Sequence, residues 1–318
     1  MLLSVENLSV KIGKVEPLSG ISFAVDRGEI LGLVGESGSG KSLTALACMG
    51  LLPLIGGRIS TGTIAFDGQR LPNPEVALAK LRGRRIALIT QNPMTALDPV
   101  QRVGEQIDVM CRLHLGMAQT QARARTLDLM TQLRIPEAAQ VADSYPHQLS
   151  GGMKQRIVIA MALAGEPDLI IADEPTTALD VTVQAQIIQI LGQLVKERGV
   201  GLILITHDMG VVAQVCDRVA VLYAGRLAET REVGALFAAP GHPYSQALIG
   251  CIPRDGMAPG SLTGIPGTVP SVATYPAGCR FHPRCNRAAG PCLTDSPAPT
   301  PHGTGTLACH HPLEVPHV

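Results

Sequence analysis

A glycine-rich segment with one lysine is the first part of the sequence that could do chemistry. Residues 35–42 read GESGSGKS, which fits the pattern G-x-x-x-x-G-K-[ST]. The segment follows an apolar strand-like run and opens a helical pattern, so an ordinary glycine turn is disfavoured. Successive backbone N–H groups of such a loop face phosphates, with the positive helix end behind them. The candidate nucleotide-binding residues are Gly35, Glu36, Ser37, Gly38, Ser39, Gly40, Lys41, which would reach the β- and γ-phosphates, and Ser42, whose hydroxyl would bind Mg²⁺.

Two carboxylates end a second apolar run. Residues 169–172 read LIIA and precede Asp173 and Glu174. A strand this apolar is buried, so its carboxylates should emerge at the carboxyl edge of a sheet, where open α/β folds bind ligands. Asp173 would hold the Mg²⁺ hydration shell, and Glu174 could accept a proton from attacking water. Alone, such a pair is more often a helix cap or an exposed edge. Together with the phosphate loop, it predicts a P-loop nucleoside triphosphatase.

A third segment, LSGGMKQR at residues 149–156, distinguishes among such enzymes. Two glycines behind a serine at a helix start make a further anion-binding helix terminus, although most S-G-G triplets are plain caps. Because this segment lies just before the strand that ends in the two carboxylates, the chain resembles the ABC-type ATPases, whose signature is L-S-G-G-x-x-Q-R. The residues that match it are Ser150, Gly151, Gly152 and Gln155.

Weaker features follow the order of that family over about residues 1–250. Gln91 after the run RIALIT resembles the Q-loop, Ala178-Leu179-Asp180 the D-loop, and His207 after LILIT the H-switch. The resemblance implies that Glu174, His207 and Gln91 are catalytic, with His207 contacting the γ-phosphate. It also implies that Gln91 shares the Mg²⁺ site with Ser42 and Asp173 and links it to a groove for a membrane partner. Guanine-reading N-K-x-D is absent, which favours ATP over GTP.

The resemblance further implies a dimer in which two such domains close head to tail around two ATP molecules. Each signature segment would then act in trans on the ATP of the other subunit. One position departs from the family: many ABC ATPases stack an aromatic residue on adenine shortly before the second strand, where this chain has Ile12. Adenine would rest on an aliphatic surface, losing on the order of 1 kcal/mol of stacking.

The elements that must position these residues alternate between strands and helices, which predicts a parallel sheet covered on both faces. Between about residues 100 and 142 only helical spacing is found, with Pro136 as a breaker. We therefore predict an α/β fold, and the resemblance makes it a P-loop NTPase ABC ATPase domain with a RecA-like core, a small antiparallel β subdomain and an α-helical subdomain. The predicted ATPase domain is residues 1–250, with the helical subdomain at about 93–155. Residues 251–318, rich in Pro, Gly and Thr, are a loop-rich C-terminal extension.

Composition excludes several function classes. The 318 residues are 46% hydrophobic with a formal net charge of zero, which argues against a nucleic-acid binder. No apolar run approaches the roughly 18 to 20 residues of a membrane-spanning helix. The opening MLLSVENLSV lacks the basic region and cleavage site of a signal peptide. We expect a soluble cytoplasmic protein that, if it works at a membrane, docks on another chain.

Several phrases resemble the ATPases of dipeptide, oligopeptide and nickel importers, and more closely the first of the two non-identical ATPases that such importers usually have. The phrases are QNPMTALDP (91–99), YPHQ (145–148), HPYSQAL (242–248) and IPGTVP (265–270). This resemblance implies a peripheral subunit on the cytoplasmic face of the inner membrane. Its partners would be a second ATPase, expected to be a relative, two transmembrane permeases and an extracytoplasmic solute-binding protein. The rival is a non-transport ABC ATPase in a soluble enzyme or assembly complex, and the cargo stays open.

Four cysteines crowd the extension: Cys279, Cys285, Cys292 and Cys309. Structural disulfides are rare in a reducing cytoplasm, whereas four thiolates can hold zinc or an iron–sulfur cluster. The spacing lacks the C-x₂-C pairs common in zinc ribbons, and related importer ATPases carry a similar tail that binds a four-iron cluster. A [4Fe-4S] cluster is therefore favoured over zinc or no metal, and His310 or His311 could replace one ligand.

Overall fold

The computed structural model describes residues 1–72, 75–176, 179–253, 256–257 and 264–313. Its strands form two sheets. The smaller sheet is antiparallel, in the order β2-β1-β4-β5, and the larger has the order β11-β12-β10-β9-β3-β8-β7-β6. The strands are β1 Leu3–Ile12, β2 Val15–Val25, β3 Ile30–Val34, β4 Gly57–Phe66, β5 Gln69–Arg70, β6 Ile86–Ile89, β7 Leu169–Asp173, β8 Gly201–Thr206, β9 Arg218–Tyr223, β10 Arg226–Glu232, β11 Thr300–His302 and β12 Gly305–Leu307.

The centre of the large sheet is parallel. Strand β3 pairs in parallel with β8 on one side and β9 on the other, and β8, β7 and β6 continue in the same direction. Every residue of β3 and β8 is buried, because helices cover one face, and helix α1 (Lys41–Cys48) and the small sheet cover the other. Runs without polar alternation are typical of such doubly covered strands. The carboxyl ends of these strands therefore meet at one edge.

Helices occupy the predicted positions around this sheet and in the insertion. Between β6 and β7 the chain is helical, with α4, α5 and α7 in mutual contact. The helices are α1 Lys41–Cys48, α2 Glu75–Leu81, α3 Pro93–Ala96, α4 Val103–Leu115, α5 Gln119–Gln132, α6 Ala138–Ala142, α7 Gly151–Ala164, α8 Val181–Arg198, α9 Met209–Val215, α10 Val233–Ala238 and α11 Pro243–Gly250. The predicted division into an α/β core, an antiparallel β subdomain and a helical subdomain is confirmed. Among the described helices, none is both long and apolar enough to cross a membrane.

The C-terminal extension is loop-rich, as predicted, but it has more core than its composition indicates. In its described part the 3₁₀ turns are Val272–Thr274, His282–Arg284 and Gly290–Leu293. Strand β12 pairs antiparallel with β10, so the β11–β12 hairpin extends the large sheet. Phe281 is 3% exposed and lies edge-on against Tyr223, with 5.1 Å between ring centroids. The domain boundary near residue 251 stays a prediction, since this part of the chain completes the sheet and core of the first part.

We expect Phe281→Ala to lower the free energy of unfolding by about 3–5 kcal/mol, because truncating a buried ring leaves a cavity. The matched control is Leu293→Ala in the same extension, whose side chain is 53% exposed and should change stability by less than about 0.5 kcal/mol. Denaturant unfolding of the full chain measures both. Equal effects from the two substitutions would contradict the packing of the extension on the core.

Candidate functional site

The phosphate loop connects β3 to α1, and its backbone requires glycine at both ends. Gly35 has φ 151°, and a Cβ there would lie 2.1 Å from the carbonyl oxygen of Leu222. Gly40, which precedes α1, has φ 106°. Lys41 is 6% exposed, and its Nζ donates to the carbonyl oxygens of Gly35 at 2.7 Å and Glu36 at 3.0 Å. Burial lowers the pKa of Lys41, which is the expected cost of holding a cation for a phosphate ligand.

Asp173 and Ser42 meet beside this loop. Burial raises the pKa of Asp173, and a hydrogen bond with the Ser42 hydroxyl and the charge of Lys41 oppose the rise. The Oδ1 atom of Asp173 is buried without a hydrogen-bond partner among the residues that the structure describes. A buried carboxylate oxygen without a partner next to a hydroxyl offers the oxygen ligands that Mg²⁺ prefers. Two of the three residues predicted for Mg²⁺, Ser42 and Asp173, therefore fit that ion, and the role of Gln91 there stays a prediction.

Gln91, Glu174 and His207 form a connected group at the edge of the parallel sheet. They follow β6, β7 and β8, which are neighbours in that order. The Gln91 Nε2 donates to Glu174 Oε2 at 3.0 Å, and His207 Nδ1 lies 3.3 Å from Glu174 Oε1. Glu174 has φ 46°, and its N–H donates to the carbonyl oxygen of Ile205 at 2.9 Å. The structure thus brings together the three side chains predicted to be catalytic, with the carboxylate at the centre.

The signature segment opens α7, as predicted. Ser150 caps the helix, its hydroxyl accepting from the N–H of Met153 at 3.3 Å. A Cβ at Gly152 would lie 2.7 Å from Val183 Cγ1, so the helix start is close against α8. Gln155 is 1% exposed, and its Nε2 has no hydrogen-bond partner within the described part of the chain.

A groove runs beside the signature segment, and of the residues described none from the phosphate loop lines it. Besides Ser150 to Met153, its lining residues are Arg134, Pro136, Arg156, Leu179, Asp180 and Val183. The signature and the phosphate loop of one chain therefore do not line a shared groove, as action in trans requires. Of the predicted D-loop, Leu179 and Asp180 are described, with Asp180 capping α8 through the Val183 N–H. Ala178 lies outside the described residues.

The position expected for adenine stacking is the last residue of β1. Ile12 is half-buried and pairs with Val15 on β2 and Gly57 on β4. The side chain is aliphatic and partly accessible, so the expectation of a weaker adenine contact stays a prediction.

The sequence analysis missed two residues that hold the phosphate loop from outside. The Tyr244 hydroxyl accepts the N–H of Glu36 at 2.9 Å, and Arg284 donates to both carboxylate oxygens of Glu36 at 2.7 and 2.9 Å. Tyr244 lies in the phrase HPYSQAL, and Arg284 lies between two of the clustered cysteines. Neither pattern indicates contact with a loop more than two hundred residues earlier.

The four clustered cysteines are brought into one region. Cys279, Cys285 and Cys309 are half-buried and Cys292 is buried. The Cys279 N–H donates to the carbonyl oxygen of Cys292 at 3.0 Å. Burial raises the pKa of Cys279 and Cys285, and that of Cys309 to about 11, with smaller contributions from the neighbouring thiols. Within the described residues, no group of three or more His, Cys, Asp or Glu side chains is placed to hold a metal ion.

His310 and His311, the alternative ligands, hydrogen-bond to backbone oxygens instead. His310 Nε2 lies 2.8 Å from the Asp295 oxygen, and His311 Nε2 lies 3.3 Å from the Ala289 oxygen.

Comparison with known proteins gives matches along nearly the whole chain. The profile of the family described as ABC transporter matches residues 18–177, and that described as oligopeptide/dipeptide transporter, C-terminal region, matches residues 228–292. The chain is 44% identical to the dipeptide transport ATP-binding protein DppD of Escherichia coli (strain K12), covering 98% of this chain and 97% of that protein. It is 45% identical to the oligopeptide transport ATP-binding protein OppD of Salmonella typhimurium, covering 99% and 95%.

Solved structures are similar as well. The ATP-binding cassette MJ0796, in a dimeric post-hydrolysis state bound to ADP and Pi, superposes with a TM-score of 0.65 at 27% identity. The match covers 73% of this chain and 99% of that one.

We expect Glu174→Gln to lower kcat for ATP hydrolysis by about 10²–10⁴-fold, because the amide cannot take a proton from water. Affinity for ATP should be retained, since the phosphate loop is unchanged. Glu197→Gln on the exposed face of α8 is the control and should leave kcat unaltered. Phosphate release and ATP binding are measured on the full chain. A kcat within a few-fold of the unmodified chain would rule out Glu174 as the base.

Proposed function

This chain belongs to the ABC transporter family, within its oligopeptide/dipeptide group, and from that premise we propose that it powers the import of a short peptide or related small solute through partner permeases. The family assignment confirms the resemblance read from the motifs, and it favours the importer over a non-transport ABC ATPase. The observation that carries the proposal is the match over 98% of the chain to an ATP-binding subunit for dipeptide transport, including the C-terminal region.

The chemistry follows from the positions of the side chains. The N–H groups of residues 35–42 and the Lys41 ammonium bind the phosphates, and Ser42 and Asp173 would hold Mg²⁺. That ion supplies charge neutralisation on the phosphoryl oxygens. Glu174 orients and deprotonates the attacking water. His207, whose Nδ1 lies 3.3 Å from the Glu174 carboxylate, holds that carboxylate in place and contacts the γ-phosphate. Gln91, bonded to the same carboxylate, links the site to the permease-facing groove.

Hydrolysis would be shared between two subunits. Ser150, Gly151 and Gly152 present the N-terminus of α7 to the γ-phosphate of the partner's ATP, and Gln155 lies buried in the next turn of the same helix. The negative γ-phosphate joins the two halves, and its loss on hydrolysis weakens the bridge. A groove beside the signature that contains no phosphate-loop residue among those described supports this division between chains.

The assembly we propose is a peripheral complex at the cytoplasmic face of the inner membrane. It contains a second ATPase, which we take to be a non-identical relative, two transmembrane permeases and an extracytoplasmic solute-binding protein. Residues 1–250 act as the ATPase domain, and residues 251–318 as the extension. The DppD and OppD relatives carry the names of dipeptide and oligopeptide transport, which favours a peptide as cargo.

A four-iron cluster on Cys279, Cys285, Cys292 and Cys309 is the second part of the proposal. The four thiols are close enough to influence one another's pKa. Backbone N–H groups donate to three of the sulfurs: Phe281 and His282 to Cys279, Arg287 to Cys285, and His311 to Cys309. Such donors stabilise thiolate ligands. Among the described residues no group of three or more His, Cys, Asp or Glu side chains is placed to hold a metal ion, so the proposal rests on the shared location of the four thiols and on these donors. When bound, it would crosslink a loop-rich segment.

The cluster is tested by purifying the chain without oxygen. We expect a brown protein that contains iron and acid-labile sulfide, and a loss of both in Cys285→Ser. Cys251→Ser, which changes a thiol outside the group of four, is the control and should keep the colour. A folded, colourless and iron-free unmodified chain would contradict the cluster.

The transport assignment is tested by recovering the tagged chain from gently solubilised membranes in the presence of ATP. We expect two multi-spanning permeases and a second ATPase to co-purify, with greater yield for Glu174→Gln, which traps the ATP-closed dimer. Lys41→Ala, which loses its phosphate contact, is the control and should not show that gain. Recovery of soluble partners alone would contradict transport while leaving the ATPase chemistry intact.

A further inference from the structure

The C-terminal extension reaches into the phosphate loop through one ion pair. Arg284 Nη1 donates to Glu36 Oε2 at 2.7 Å, and Nη2 donates to Oε1 at 2.9 Å. The Arg284 side chain is 4% exposed and that of Glu36 28%. This two-point geometry fixes the orientation of the carboxylate as well as its charge. Glu36 is the second residue of the phosphate loop, which in our proposal binds ATP.

Arg284 is itself held rigidly. Besides Glu36, its guanidinium donates to the Tyr223 hydroxyl at 3.3 Å and to the carbonyl oxygens of Ile265 at 3.2 Å and Pro266 at 2.6 Å. It ends the 3₁₀ turn His282–Arg284, immediately before Cys285. A buried guanidinium with this many partners is the preferred means of holding a carboxylate in place.

The backbone of Glu36 is held by hydrogen bonds as well as its side chain. Its N–H donates to the Tyr244 hydroxyl at 2.9 Å, and its carbonyl oxygen accepts from Lys41 Nζ at 3.0 Å. The Tyr244 ring lies against Tyr223 and Phe281, with centroid separations of 4.6 and 5.2 Å. The turn that carries Arg284 is thus attached to the same aromatic cluster that supports the loop.

The charge of Glu36 matters because it lies near the phosphate-binding cation. Its carboxylate is close enough to Lys41 to influence the pKa of that ammonium. Without a counter-ion, the Glu36 carboxylate would repel the triphosphate and compete with it for the Lys41 ammonium. Arg284 supplies the compensating positive charge from a part of the chain that the ATPase motifs do not include.

We propose that Arg284 is a positioning residue for ATP binding: by neutralising and orienting Glu36, it makes the affinity of the phosphate loop depend on the folded C-terminal extension. The inference rests on the proposed ATP site and deepens it, because it adds a residue 248 positions away from Glu36 in sequence. Arg284 itself contacts no phosphate and takes no part in proton transfer.

The first test compares Arg284→Gln with the double variant Glu36→Gln/Arg284→Gln. Arg284→Gln leaves the carboxylate uncompensated, and we expect the Kd and KM for ATP to rise about tenfold. The double variant removes both charges, and we expect it to recover to within about threefold of the unmodified Kd. The kcat at saturating ATP should stay within about twofold in both, since Glu174 and His207 are unchanged. A purely structural role would not produce recovery on removing the second charge.

Arg287→Gln is the matched control, because Arg287 is exposed in the same segment and has no side-chain contact with Glu36; its Kd should be unchanged. Thermal unfolding of each full chain checks folding. If Arg284→Gln does not fold, Arg284→Lys replaces it, since lysine keeps the charge but loses the two-point contact; we then expect a Kd rise of at least about threefold.

Two results would overturn the inference. One is an unchanged Kd in folded Arg284→Gln or, where it is used, Arg284→Lys; the other is a double variant as weak as Arg284→Gln alone. An unmodified chain that does not bind ATP would instead refute the ATP site itself, and this inference with it.

Discussion

The parallel pairing of β3, β8, β7 and β6 is the constraint on which the rest of the structure depends. Strands that run in one direction and are buried on both faces deliver their carboxyl ends to a single edge. The phosphate loop leaves β3, His207 leaves β8, Asp173 and Glu174 end β7, and Gln91 follows β6. Residues separated by up to 172 positions therefore meet because the strands that precede them are paired side by side in one sheet. Glycines at the loop ends complete the arrangement, because a Cβ would lie 2.1 Å from the Leu222 carbonyl oxygen at Gly35 and 2.5 Å from Leu18 Cδ2 at Gly40.

Charge is the second constraint, since the edge of a buried sheet is a costly place for ions. Burial moves the pKa of Lys41 down and that of Asp173 up, so both residues are poised for a ligand of opposite charge. Triphosphate and Mg²⁺ relieve those costs together. Glu36 is different, because the phosphates do not relieve a carboxylate. Its compensation has to come from the protein, and Arg284 provides it with a guanidinium that is itself saturated with hydrogen bonds.

Motifs that lie within a few consecutive residues could be predicted from the sequence, whereas contacts between distant segments could not. The phosphate loop, the acidic end of β7 and the signature at α7 each combine a local pattern with a strand or helix boundary, so their positions could be read directly. The place of Glu174 at the sheet edge could be argued from its apolar strand, whereas Gln91 and His207 were assigned to the site through the family resemblance. Strands β11 and β12 are three residues each, too short for a period-two pattern to stand out among prolines. The contacts of Tyr244 and Arg284 with Glu36 span about 208 and 248 positions, and no local spacing reports such a pairing.

The placement of the extension has a thermodynamic consequence that does not depend on whether the four cysteines hold a cluster. If docking of the turn at Arg284 raises the affinity of the phosphate loop for ATP, then ATP must strengthen the docking of that turn by the same factor, because coupling between two binding equilibria is reciprocal. The β12–β10 pairing and the Phe281 contact with Tyr223 tie the same segment to the core sheet, so the coupled element is the whole extension rather than one side chain. On that condition, a segment whose composition alone would leave it unfolded gains stability when ATP binds to the phosphate loop.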